Sequence, residues 1–167
     1  TCRVRDEGGF YRGGEHQRHE ILQKAIDLGA SFVDVELSCV GALRRGAGTK
    51  LIVSVHNLDR LPADLPRLYH DILESGADIV KIAGTATSIA DNLRVFGLLA
   101  AATRPTIAVC MGELGIISRI LGRKFGAAMT YGSLAPGEES APGQLTAREL
   151  RDVYGYPSIN PHTEVFG

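Results

Sequence analysis

The sequence predicts an α/β protein of the (β/α)8 barrel class, N-terminally incomplete, with about six of the eight strands present. Three observations lead there. Short apolar runs alternate with stretches of helical spacing, the pattern of parallel strands joined by crossover helices. No Gly-x-Gly-x-x-Gly follows the first strand-like run, which removes the main sign of a dinucleotide-binding sheet. The side chains suited to chemistry fall at the C-terminal ends of several different strands, as they do in barrels.

In chain order the expected strands are Thr1–Val4, Phe32–Leu37, Leu51–Val55, Asp78–Ala83, Thr106–Cys110 and Ala127–Thr130. The expected helices are Glu15–Leu28, Leu65–Ser75, Thr87–Ala102 and Leu114–Leu121. In the first helix Ile21, Leu22, Ala25, Ile26 and Leu28 lie largely on one face, and Gly29 is a stop signal. Leu65, Leu68, Ile72 and Leu73 repeat the pattern, closed by Gly76. Residues 1–153 form the expected barrel domain. The tail 154–167, with Pro157 and Pro161 and little periodicity, reads as a linker. The chain begins at Thr1 at the edge of a strand-like run, so it reads as cut from something longer, with two βα units missing before it.

Bulk properties narrow the function classes. At 167 residues, 44% hydrophobic and 22% charged, the chain has the composition of one globular domain. A net charge of −1 gives no reason to expect nucleic acid or an anionic membrane as partner. No apolar run approaches the length of a membrane span, and no signal peptide is visible. Cys2, Cys39 and Cys110 are scattered and odd in number, which fits reduced thiols in a cytosolic or organelle-stroma setting.

The most informative residue is Lys81, in the run Ala77-Asp78-Ile79-Val80-Lys81-Ile82-Ala83. Burying an ammonium favours its neutral amine, which can attack a carbonyl and form a Schiff base. The bland reading is a snorkelling or ion-paired structural lysine. His56 ends the run Leu51–Val55 and suits proton transfer near neutral pH, or is a hydrogen-bonded core histidine. Arg3 and Glu7 precede Gly8-Gly9; the acid either orients an imidazole or makes a surface salt bridge. Asp34 and Glu36 alternate with Val33, Val35 and Leu37 and so share one face, where they need cationic partners such as Lys81 or an arginine. Arg119 after a strand end suits a bidentate carboxylate clamp. Ser140-Ala141-Pro142-Gly143-Gln144 is a polar loop placed to bind hydroxyls, or merely a turn. His16 and His19 read as solvated, and no metal site is indicated.

These pieces together resemble the type I 3-dehydroquinate dehydratases, the Schiff-base enzymes of the shikimate pathway, which make precursors of the aromatic amino acids. The resemblance rests on Thr1-Cys2-Arg3 with Glu7-Gly8-Gly9, Asp34-Val35-Glu36-Leu37, Ser54-Val55-His56-Asn57 and Asp78-Ile79-Val80-Lys81-Ile82-Ala83. It continues through Met111-Gly112-Glu113-Leu114-Gly115, Ser118-Arg119-Ile120-Leu121-Gly122 and Ser140-Ala141-Pro142-Gly143-Gln144, in family order to about Leu150. It implies a hydro-lyase converting 3-dehydroquinate to 3-dehydroshikimate. Lys81 would form the imine, His56 would move the protons and Glu7 would orient His56. Arg119 would bind the substrate carboxylate, Arg3, Ser140 and Gln144 its hydroxyl and carbonyl region, and Tyr131 would line the pocket. No metal or organic cofactor is implied.

The tail Asn160–Gly167 resembles the connection into a shikimate dehydrogenase domain, which implies a bifunctional, multifunctional-enzyme arrangement with a fused dehydrogenase. The compartment implied is cytoplasm, or plastid stroma in a eukaryote. A homodimer is compatible with the resemblance, the residues themselves giving no oligomeric state. Two other readings stay open: an aldolase-type Schiff-base lyase, and a non-catalytic barrel that binds a metabolite. The family's Glu-x-Arg pair on an earlier strand has no counterpart in this sequence. The expectation is that this stretch alone is unstable or feebly active unless the missing segment is supplied. Turnover of the 167-residue chain checks it, and near-normal activity would count against it.

Overall fold

In a computed structural model, which describes residues 1–166, four strands form one parallel sheet: β1 (Phe32–Glu36), β2 (Lys50–Asn57), β3 (Ile79–Thr85) and β4 (Thr106–Met111). Gly167, the last residue of the expected linker, lies outside the described residues. The strands are ordered β1-β2-β3-β4, each beside its sequence neighbour. Between and after them run α1 (Glu15–Asp27), α2 (Leu65–Glu74), α3 (Asp91–Ala101), α4 (Ile116–Leu121) and α5 (Ala147–Asp152). The strands are rich in Val and Ile, which fit a pleated surface buried on both sides.

The register sorts the side chains onto two faces. Asp34 pairs with Ile52, Ser54 with Lys81, Lys81 with Ile107, and His56 with Ala83. These residues and those two positions away therefore look to one side. The alternating set, Val33, Val35, Leu51, Val53, Val80, Ile82, Ala108 and Cys110, meets Leu22 and Ile26 of α1, Leu65 and Ile72 of α2, and Val95, Phe96 and Leu99 of α3 in the main core. Thus α1, α2 and α3 all pack on one face. A doubly wound sheet would carry helices on both. The second face carries two small apolar clusters instead, Ile52 with Ile79 and Ile107, and Ala83 with Val109 and Met111.

Local chemistry sets the helix limits. The chain leaves α1 through Gly29, where φ is +81° and a side chain would be strained. Gly76 closes α2 in the same way, donating its N–H to the Leu73 carbonyl at 2.9 Å. At its start α2 has Asp64 accepting the Arg67 N–H at 3.0 Å. The expected third helix begins later, at Asp91, because the Asp91 carboxylate takes the N–H groups of Thr87 and Ser88 into a turn. The expected fourth helix is split, with a 3-10 turn over Glu113–Gly115 preceding α4.

Two expected strands do not form. Thr1–Val4 has its backbone engaged elsewhere. The Val4 N–H donates to the Glu36 carboxylate at 3.0 Å, and the Val4 carbonyl accepts from Glu7 and Gly9. Ala127–Thr130 is reduced to one parallel bridge, Ala127 to Thr106, at the far edge of β4. Both segments flank the sheet, one held by side chains and the other by a single ladder contact. Helix α5 was not among the expected elements, although its signal is in the sequence. Thr146 and Glu149 make a capping box, each side chain bonding the other residue's N–H. Residues of the tail lie against the 3-10 turn Gly122–Phe125: Arg123 donates to the Pro157 carbonyl and Lys124 to those of Pro161 and Thr163.

Ile72, fully buried between α2 and the sheet, is a test of this packing. Ile72→Ala is expected to destabilise the fold by about 2–5 kcal/mol, read from urea unfolding.

Candidate active site

The second face of the sheet opens into a cavity of about 570 Å³. The eight residues to which the resemblance gives a role all line it: Arg3, Glu7, His56, Lys81, Arg119, Tyr131, Ser140 and Gln144. They are not all at strand mouths, however. Lys81 is the third residue of the seven-residue β3, in register with Ser54. His56 is in register with Ala83, one side-chain layer further along the strands. Strand β3 continues four residues past Lys81, to Thr85, so the lysine rises from the floor and the histidine stands above it.

Lys81 meets one carboxylate squarely. Its Nζ is 2.7 Å from Asp34 Oδ2 and 4.8 Å from the centre of the Tyr131 ring. Asp34 Oδ1 accepts from Arg3 at 2.5 Å and from the Ser54 hydroxyl at 2.6 Å. Burial works to raise the Asp34 carboxyl, but the charges of Lys81 and Arg3 outweigh it and hold the group at about 2. Lys81 is moved below the ordinary lysine range by burial, with Asp34 opposing. The floor of the cavity therefore holds an amine eased toward its neutral form beside an anion that stays ionised.

His56 has a different partner. Glu7 Oε2 accepts its backbone N–H at 2.9 Å and lies 3.1 Å from Nδ1. A carboxylate at Nδ1 calls for the proton on that nitrogen, which leaves Nε2 free to act as a base. Burial lowers the imidazole's pKa below its usual value, against the pull of Glu7. The neutral, basic form is thus favoured near neutral pH. Glu7 is carried on a 3-10 turn, Arg5–Glu7, whose exit at Gly8 is left-handed.

Arg119 lies on α4, which is pinned under β4 because the Ser118 hydroxyl accepts the Cys110 N–H at 2.8 Å. The guanidinium is buried, and its Nε has no hydrogen-bond partner among the described residues. Such a cation is fitted to an anionic ligand. Loop 140–144 docks onto the end of β4, where Gly112 N–H donates to the Pro142 carbonyl at 3.1 Å. Gly143 permits this: φ is +70°, and a Cβ there would fall 2.4 Å from the Gly112 carbonyl oxygen. Within the loop Gln144 Oε1 accepts from both the N–H and the hydroxyl of Ser140.

A family model for type I 3-dehydroquinase matches residues 1–161. The chain belongs to that family. It is 43% identical to the bifunctional 3-dehydroquinate dehydratase/shikimate dehydrogenase, chloroplastic, of Arabidopsis thaliana, over 100% of this chain and 29% of that protein. It is 38% identical to a 3-dehydroquinate dehydratase of Dehalococcoides mccartyi, over 98% of this chain and 77% of the relative. Among solved structures, the 3-dehydroquinate dehydratase of Geobacillus kaustophilus superposes with a TM-score of 0.81 at 29% identity, over 92% of this chain and 64% of that one. This type I 3-dehydroquinase chain therefore spans less than two thirds of the plant and Geobacillus proteins, and it shares the α/β barrel fold of its structural neighbours.

Sequence reasoning missed two buried residues that hold the carboxylates beneath this cavity. Ser54 hydrogen-bonds Asp34, and Arg18, fully buried, binds Glu36 at 2.6 Å. The signal for Arg18 was its spacing, four before Leu22 and eight before Ile26, on the apolar stripe of α1. Asp34 and Glu36 do share a face as expected, but they divide the cations: Lys81 goes to Asp34, and Arg18 to Glu36. Two clusters have metal-ligand composition, Glu15/His19/Cys39 and His70/Asp71/Glu74; the second is wholly exposed on α2. Neither is among the residues lining the cavity that holds Lys81.

The folded Asp34 pKa lies below its ordinary 3.8, so on acidification the unfolded chain binds this proton first. The stabilisation, on the order of 2 kcal/mol, is complete above that ordinary value and is lost as pH falls toward the folded one. Unfolding by urea from about pH 5 to about pH 2 is expected to show this loss. In Asp34→Asn that part of the pH dependence should be missing, although the variant is less stable throughout.

Proposed function

We propose that this chain carries the reaction centre of a 3-dehydroquinate dehydratase, removing water from 3-dehydroquinate to give 3-dehydroshikimate through an imine on Lys81. One observation carries the reading. The buried Lys81–Asp34 pair shares its cavity with the Glu7–His56 pair, one layer above it. An amine nucleophile and a proton-transfer group are thus set at different heights of one site.

In this reading neutral Lys81 attacks the substrate ketone, and loss of water gives the iminium. Asp34, held at about 2, is too weak a base to keep the lysine's proton, so it serves as an electrostatic positioner. His56 Nε2 removes a proton from the carbon next to the iminium, whose nitrogen takes up the electron pair as an enamine. Return of that pair expels the hydroxyl one carbon further on, and His56 gives it the proton to leave as water. Hydrolysis of the product imine restores Lys81. Arg119 meets the substrate carboxylate, Arg3, Ser140 and Gln144 meet its oxygens, and Tyr131 covers the lysine. No metal or organic cofactor enters, since the iminium is the electron sink.

The proposal extends to the tail. Residues 1–153 are read as the dehydratase part and 154–167 as the lead into a fused dehydrogenase. In support, the plant relative's name gives both activities and the plastid. The compartment is read as cytoplasm or plastid stroma, and the assembly as a homodimer that sedimentation would check.

Borohydride reduction in the presence of 3-dehydroquinate is expected to fix the ligand on the Lys81 peptide, seen by mass spectrometry. Lys81→Ala should abolish the adduct. His56→Ala should keep it while slowing turnover by roughly 10²–10⁴-fold. Full turnover in His56→Ala, or a wild-type adduct at another residue, would reject these roles.

A further inference from the structure

Arg18 is the largest side chain among the described residues to be buried completely. Removing a guanidinium from water is costly unless its donors are all used. Its Nη1 meets Glu36 Oε2 at 2.6 Å and the Cys2 carbonyl at 3.0 Å. Its Nη2 lies 2.9 Å from Glu15 Oε2, 3.0 Å from Cys39 Sγ and 3.4 Å from His19 Nε2. That trio has the spacing of a metal site, and a guanidinium nitrogen stands among its ligand atoms.

Inward from this anchor the charges alternate. Glu36 Oε2 faces Arg18, and its Oε1 faces Arg3 at 3.2 Å. Asp34 Oδ1 faces Arg3 at 2.5 Å, and its Oδ2 faces Lys81 at 2.7 Å. Each carboxylate thus holds one cation on each oxygen, and each inner cation is shared or ends the row. We propose that Arg18 is a positioning residue for the chemistry at Lys81: by holding Glu36 it governs how far Arg3 is drawn from Asp34, and so how tightly Asp34 grips Lys81. This rests on the reading of Lys81 as the imine-forming amine.

An alternating row transmits a perturbation with alternating sign. Without the Arg18 charge, Glu36 draws Arg3 toward itself, Asp34 turns to Lys81 alone, and the ammonium is held more firmly. Without the Glu36 charge, Arg3 engages Asp34 more strongly and Lys81 is released. Removing both restores the balance. The other groups around Lys81 are Glu7, His56, Arg119 and Tyr131. Around Arg18 they are Glu15, His19 and Cys39. Burial keeps His56 neutral on the alkaline limb, where the effect is read.

The test measures borohydride trapping of 3-dehydroquinate on the Lys81 peptide as a function of pH. Arg18→Met is expected to move the alkaline-side midpoint for adduct formation up by roughly 0.5–1 unit, and Glu36→Gln to move it down by a similar amount. The double variant should return it near the wild-type position, and Arg18→Lys should lie close to wild type. A merely structural Arg18 would lower the folded fraction and leave every midpoint in place, which would overturn the proposal. Should Arg18→Met fail to fold, Glu36→Gln decides: an unmoved midpoint overturns the proposal, and a downward shift with Arg18→Lys unmoved upholds it. Absence of an adduct on Lys81 in the wild-type chain would remove the reading of Lys81, and this one with it.

Discussion

Asp34 is the charge on which the second face of the sheet depends. One small carboxylate accepts from Lys81, Arg3 and Ser54. Without it two cations would face each other across a poorly hydrated floor, at a cost of several kcal/mol. With it, the lysine can be buried in the middle of a strand where Val or Ile would otherwise belong. The same carboxylate draws Arg3, and with it the segment from Thr1 to Glu7, across the sheet. That is why Glu7 reaches His56 although the two are 49 positions apart in the chain. A single ion at the floor thereby organises the wall above it.

The strand register then separates tasks that a flat surface would mix. Side chains in one layer of a parallel sheet share a height, and the next layer lies two residues along. Lys81 shares its layer with Ser54 and Ile107, while His56 shares its own with Ala83. The small alanine beside the histidine leaves room over the lysine. One layer below Lys81, Ile52 and Ile79 pack with Ile107, Met129 and Tyr131 into an apolar cluster. The polar layer is therefore dry beneath and open above, which is how burial lowers the pKa values of Lys81 and His56 while a ligand can still enter.

Much of this was legible in the amino-acid order because it rests on local signals. The four β-strands that form are the apolar runs, and α1 and α2 end at the glycines that mark them. The site residues were legible too, since unusual side chains in apolar company stand out: Lys81, His56 and the Asp34/Glu36 alternation. Thr1–Val4 misled because a strand is defined by its neighbour, and side-chain carboxylates claimed its N–H first. The depth of Lys81 was hidden because the expected strand stopped at Ala83, whereas β3 runs on through Gly84 to Thr85. Arg18 escaped because an arginine on a helix is ordinarily solvated, and only the fold reveals that its partner, Glu36, lies 18 positions away in the interior.

The bond between Ser140 and Gln144 has a consequence for selectivity. The two side chains satisfy each other. A ligand hydroxyl that engages them trades one hydrogen bond for another, so the net gain is small. A compound of the same shape without that hydroxyl leaves the pair intact and loses little by comparison. A loop already satisfied within itself would therefore rank ligands by shape more than by that one hydroxyl.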